Sequence, residues 1–111
     1  MRVYVASPYT LGDRSENVRK ALAVATQLLD AGHEPFCPLL SHFWDLMYPR
    51  PWHRWMEVDL AWLKVAEALV RIPGESVGAD REVAVANRRG IPTFFSVEAF
   101  LEWANERKSD G

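Results

Sequence analysis

A chain of 111 residues with 49% hydrophobic and 25% charged content has the length and balance of one globular domain, which excludes a disordered tail or a fibre. Its formal charge of -2 supplies no concentrated basic face, so duplex nucleic acid is not an expected partner, whereas a single nucleotide stays open. The one cysteine, Cys37, allows no internal disulfide; without a signal-peptide pattern or an apolar run of about 20 residues, a cytoplasmic protein with no membrane anchor is expected.

The segment 2–6, RVYVA, is β-branched and aromatic and stops at Ser7-Pro8, which predicts a short buried strand followed by a turn. Asp13 with Glu16 three residues later fits a capping box. Val18, Ala21, Leu22, Ala25, Leu28 and Leu29 then keep helical spacing as far as Gly32. A second strand is expected over 33–38 despite its two prolines. Residues 39–53 have no clean period and predict a long loop, too aromatic to be disordered. Its His42, Phe43, Trp44, Trp52 and His53 either stack on a flat base or pack at a subunit interface.

A helix is expected over 54–66, with Met56, Leu60 and Leu63 on one stripe and Trp55, Asp59 and Trp62 on its neighbour. A third strand over 67–72 ends at Pro73-Gly74, a helix over 78–89 stops at Gly90, and a fourth strand covers 91–95. Ser96 then caps a last helix whose inner face is Val97, Phe100, Leu101 and Ala104, leaving 108–111 as a frayed tail. Strands alternating with helices imply one α/β domain over 1–107, with a parallel sheet of order 2-1-3-4 and helices on both faces. In such a sheet ligands bind beyond the C-terminal strand ends, where the order reverses. That rule brings SPYT (7–10) and GESVGADRE (74–82) to one crevice, and with them Ser7, Pro8, Tyr9, Ser76, Gly78 and Glu82.

Each candidate has a bland and a functional reading. Glu82 at a helix mouth either neutralises the helix dipole, which is worth about 0.3–1 kcal/mol, or is a carboxylate kept ionised there to act as a nucleophile. Ser76 and Gly78 either cap the helix or cradle an anion on its free amides. Asp59, with a tryptophan a turn to either side, either pairs with Arg54, Lys64 or Arg81 or is buried enough to hold a proton for donation. Two histidines without a third convergent ligand make no metal site, so none is expected.

VYVASPYT, DLAWLKVAEALV and PGESVGADREVAVANRRGIPTFF together resemble the nucleoside 2-deoxyribosyltransferase superfamily, in particular its small phage and bacterial members of unassigned function. The resemblance implies a flavodoxin-like fold, a homodimer and no cofactor. It also implies Glu82 as the nucleophile that attacks C1′ of a sugar, with Asp59 assisting departure of the base. A serine at position 76, where transferases of free nucleosides have an aspartate, implies a (deoxy)nucleoside 5′-monophosphate as substrate. Ser7, Pro8, Tyr9, Gly78 and Trp44 are the expected substrate contacts. Asp80-Arg81 replace the Gly-Tyr of better known members, and Arg81 either touches phosphate or pairs with Glu82. A non-catalytic nucleotide-binding module and an NAD glycohydrolase are the alternatives.

Overall fold

The computed structural model describes residues 1–110. Four parallel strands, β1 (Arg2–Ala6), β2 (Glu34–Phe36), β3 (Ala68–Arg71) and β4 (Thr93–Phe94), stand in the order β2-β1-β3-β4, as the alternating pattern predicts. Register places Val3 beside Ala68 and Tyr4 beside Leu69. The helices are α1 (Arg14–Asp30), α2 (Ser41–Met47), α3 (Trp52–Leu63), α4 (Val77–Arg88) and α5 (Val97–Asp110), with a short 3-10 turn at Pro38–Leu40. Helix α5 takes in most of the tail 108–111, and Gly111 lies outside the described residues.

The two faces of the sheet bury different residues because side chains alternate along a strand. Val3, Val5, Ala68 and Val70 meet Val18, Ala21, Ala25 and Leu28 of α1 and Phe100 and Ala104 of α5. Tyr4, Ala6 and Leu69 meet Leu63 of α3 and Ala79 and Ala86 of α4. That parity decides the chemistry, since it turns Tyr4 toward the helices that carry Asp59 and Glu82. Leu29, expected inward, is exposed; at the edge of the α1 stripe it turns past the sheet.

Local signals act largely as expected. Asp13 caps α1 by accepting from the Glu16 amide at 3.1 Å, but the reciprocal half of the capping box is missing. The Glu16 carboxylate binds Arg19 instead. Ser96 accepts from the Ala99 amide at 3.1 Å, and Gly90 ends α4 with a φ of 72° that a residue bearing a Cβ avoids. β4 is shorter than expected, two residues rather than five, because Pro92 lacks a donor for the ladder.

The segment 39–53 departs most from expectation. It is not one long loop: α2 fills its middle and α3 begins at Trp52, just after Pro51. No residue of α2 is buried, so no inward stripe marks it in the sequence. Polar and aromatic contacts hold it instead. The Tyr9 hydroxyl and His42 Nδ1 are 2.7 Å apart, Trp55 Nε1 donates to Asp45 at 2.7 Å, and Trp44 meets Trp55 edge to face.

Candidate active site

A cleft opens at the C-terminal ends of β1 and β3, where the strand order reverses. Ser7 forms part of its lining, Ser76, Gly78 and Glu82 of α4 flank it, and Trp55 and Asp59 of α3 face it. Tyr9 and Asp45 close the α2 side. Six of the eight residues expected at a site, Ser7, Tyr9, Asp59, Ser76, Gly78 and Glu82, thus share one cleft.

The other two lie beside it. Pro8 lines a neighbouring hollow with Asn17, Lys20 and Gly74. It packs so closely on Gly74 that a Cβ there would come within 2.7 Å of Pro8 Cγ. Trp44 lines a groove on the far side of Asp59, together with Phe36, Trp55 and Trp62, rather than the cleft itself.

Glu82 is 4% exposed and accepts a hydrogen bond from the hydroxyl of Tyr4. It sits in the second turn of α4, whereas Asp80 occupies the first. The helix dipole, which acts within the first turn, therefore bears on Asp80 and does little for Glu82. Burial pushes the Glu82 carboxyl up to about 8, helped by the nearby charge of Asp59 and opposed by the Tyr4 hydrogen bond and by Arg71. The expectation that the helix end keeps this carboxylate ionised is thereby corrected. Burial dominates, and Tyr4 and Arg71 are what favour the charged form.

Asp59 is half-buried beside the cleft. Burial raises it to about 7, and none of its expected cationic partners reaches it: Arg54 pairs with Glu57, and no ion pair to Lys64 or Arg81 forms among the described residues. Arg81 likewise makes no ion pair with Glu82. Tyr4 is held far above the ordinary tyrosine range by burial and by Glu82 and Asp59, so its hydroxyl remains a donor at all physiological pH.

Ser76 is the N-cap of α4, accepting from the Ala79 amide at 3.0 Å. The amides of Val77 and Gly78 precede the first intrahelical bond and point out of the helix end. Ser7 is 7% exposed, and its Oγ has no hydrogen-bond partner. A buried hydroxyl normally finds one, so this residue of the cleft lining carries an unsatisfied polar atom. No group of three His, Cys, Asp or Glu side chains is placed to hold a metal ion among the described residues. Cys37 is buried and burial raises its thiol, the state of a core residue rather than a nucleophile.

Sequence reasoning missed Asp45 in the cleft lining, and Tyr4 and Arg71 as the groups behind it that act on Glu82. For Tyr4 the signal is its parity in β1. For Arg71 it is a cation closing an otherwise apolar strand. Asp45 carries none, because α2 has no inward period.

Fold and cleft together define a doubly wound α/β protein with a paired-carboxyl site at its switch point. Residues 1–96 match a domain family described as a domain of unknown function, DUF7768, and the chain belongs to that family. Among solved structures, the fold is similar to that of a 2-deoxyribosyltransferase from the psychrotolerant bacterium Bacillus psychrosaccharolyticus, described as a biocatalyst for nucleoside synthesis. The TM-score is 0.58 and the identity 23%, over 84% of this chain and 69% of that one. No curated protein matches. No helix among the described residues is long and apolar enough to cross a membrane.

Proposed function

We propose that this protein cleaves or exchanges the N-glycosidic bond of a (deoxy)nucleoside 5′-monophosphate. The observation that carries the reading is Glu82, buried at the switch point against Tyr4 with Asp59 lining the same cleft. With Tyr4 donating to Oε2, Oε1 is the oxygen left to attack C1′. The C1′–N bond breaks as the C1′–O bond forms, its electron pair goes to the base nitrogen, and Asp59 supplies the proton. Water or a second base then attacks C1′ and gives its proton to the Asp59 carboxylate, Glu82 leaves as carboxylate, and the starting protonation of the site is restored. Two carboxyls in one cleft can carry such a double displacement; with Glu82 at about 8 and Asp59 at about 7, the reacting form, Glu82 ionised and Asp59 protonated, is the minor singly protonated one in the free protein.

The phosphate rests on the α4 end in this reading. The amides of Val77 and Gly78, the unpartnered Ser7 hydroxyl and the absence of any carboxylate at position 76 favour an anion there. The cleft encloses only about 80 Å³, against the roughly 300–1,000 Å³ usual for small-molecule sites. A nucleotide must extend beyond it, which favours a second subunit as the missing wall. Exposed Phe43, Trp44, Leu46, Met47 and Trp62 provide the apolar surface for a homodimer. The same small volume counts against an NAD glycohydrolase.

The test is chromatography of free base after incubation with ribo- and deoxynucleoside 5′-monophosphates, nucleosides and NAD, with and without an acceptor base, alongside Glu82→Gln. Base released by wild type and not by the variant is expected. A protein stabilised by nucleotide yet releasing no base would be a binding module, the reading favoured by a Glu82 that is largely protonated at neutral pH.

A further inference from the structure

Arg71 is the last residue of β3 and only 7% exposed. Strand parity turns it toward α4, on the side of Leu69 and Tyr4. Its guanidinium donates to the Ile72 carbonyl, to the Gly74 carbonyl at 2.8 Å and to Asp80 Oδ1 at 3.0 Å. One buried cation thus ties the start and the middle of the turn 72–76, at Ile72 and Gly74, to the first turn of α4. A buried cation is costly unless paired and hydrogen-bonded, and its pairing here is lopsided, since the Asp80 side chain is 74% exposed and its charge largely screened by water. The positive charge on the buried side is less fully offset, and it is one of the groups acting on Glu82.

We propose that Arg71 is a positioning residue for Glu82: by tying Ile72 and Gly74 to Asp80 it fixes the start of α4, and so the place of Glu82 two residues further along that helix. Glu82 is faced by the Tyr4 hydroxyl from β1, Asp59 from α3 and Arg71 from β3, with Asp80 and Arg81 preceding it on α4. Arg71 is the one buried cation in that set. Its place behind a nucleophile rests on the function proposed above, whereas its effect on Glu82 ionisation is measurable without turnover.

The experiment is a ¹³C NMR titration of protein labelled at glutamate side-chain carboxyls, with the Glu82 resonance assigned by its loss in Glu82→Gln. Arg71→Gln is expected to raise the Glu82 midpoint. Arg71→Lys keeps the charge and is expected to stay near wild type, and Arg81→Gln, an exposed neighbour, to leave the midpoint unmoved. Asp80→Asn frees the guanidinium and is expected to lower it. An unmoved midpoint in Arg71→Gln, an equal rise in Arg71→Lys, or an equal rise in Arg81→Gln overturns the proposal. If Arg71→Gln does not fold, the exposed Asp80→Asn decides, and an unmoved midpoint there overturns it. With a substrate in hand, the alkaline flank of kcat/KM moves upward with the midpoint in Arg71→Gln and its maximum falls. Absence of turnover in wild type defeats the enzyme reading and leaves the NMR result standing.

Discussion

The hydroxyl of Tyr4, in the middle of the first strand, donates a hydrogen bond to the carboxyl of Glu82, 78 residues later in the chain. Both groups are buried, so neither has water as a substitute partner. Tyr4→Phe leaves Glu82 without its donor and is expected to cost about 1–3 kcal/mol of stability, the usual penalty for a buried polar group short of a partner. It also removes an influence that lowers Glu82, so the alkaline flank of activity, which follows the higher of the two values, moves to higher pH and the maximal rate falls. Denaturant melts and a pH–rate profile test both parts; an unchanged flank would mean that the bond plays no part in ionisation.

Activity on a substrate requires Glu82 as carboxylate and Asp59 as acid. With the empty-site values at about 8 and about 7, the profile of kcat/KM is expected to be a narrow bell with flanks near those values. The flanks belong to the interacting pair rather than to either residue alone. Asp59→Asn cannot donate a proton and is expected to lose about 10²–10⁴-fold in rate. A flat profile from pH 6 to 9, measured by base release, would remove both groups from the chemistry.

Much of the fold was legible because β1, β3 and the α1 stripe are written in apolar residues at periods of 2 and 3.6. The strand order and the meeting of 7–10 with 74–82 follow from that alternation. Helix α2 was not legible, because Tyr9–His42 and Asp45–Trp55 contacts hold it rather than a buried stripe. Tyr4 read as core because an aromatic in a strand is usually just that, and only its parity with Ala6 points it at Glu82. The ionisation of Glu82 was misjudged by a helix turn: Asp80 lies in the first turn and Glu82 in the second, where burial outweighs the dipole.

The raised acids also set how stability depends on pH. Glu82 rises from an ordinary 4.5 to about 8 and Asp59 from 3.8 to about 7, so between these limits the folded protein binds more protons than the unfolded chain. Stability therefore falls as pH rises through that window, and the contribution of these groups is fully present only below their unfolded values. Tm is expected to decline from about pH 5 to pH 8, and Glu82→Gln, which cannot ionise, to flatten the decline. Calorimetry of the two proteins across that range decides it, and parallel slopes would count against a raised Glu82.

Ser7 offers a test in which stability and binding move apart. Its buried Oγ has no partner in the empty protein, so Ser7→Ala removes an unsatisfied group and is expected to leave stability unchanged or raise it by up to about 1 kcal/mol. Affinity for a nucleoside 5′-monophosphate should fall at the same time. Thermal melts with and without nucleotide measure both effects, and a loss of stability in the empty variant would show that the hydroxyl is already satisfied.

Ser76→Asp addresses the phosphate. Aspartate caps a helix about as well as serine, so the Ala79 amide keeps an acceptor and the fold is expected to survive with stability changed by less than about 1 kcal/mol. What changes is charge, since a carboxylate then stands at the helix end where the phosphate is proposed to rest. Binding of monophosphate should weaken by about tenfold or more, equivalent to roughly 1.4 kcal/mol, while binding of the uncharged nucleoside stays level or improves. Calorimetric titration with the two ligands separates these outcomes. Equal weakening of both would place the phosphate away from α4, and the 5′-monophosphate would lose its claim as the substrate.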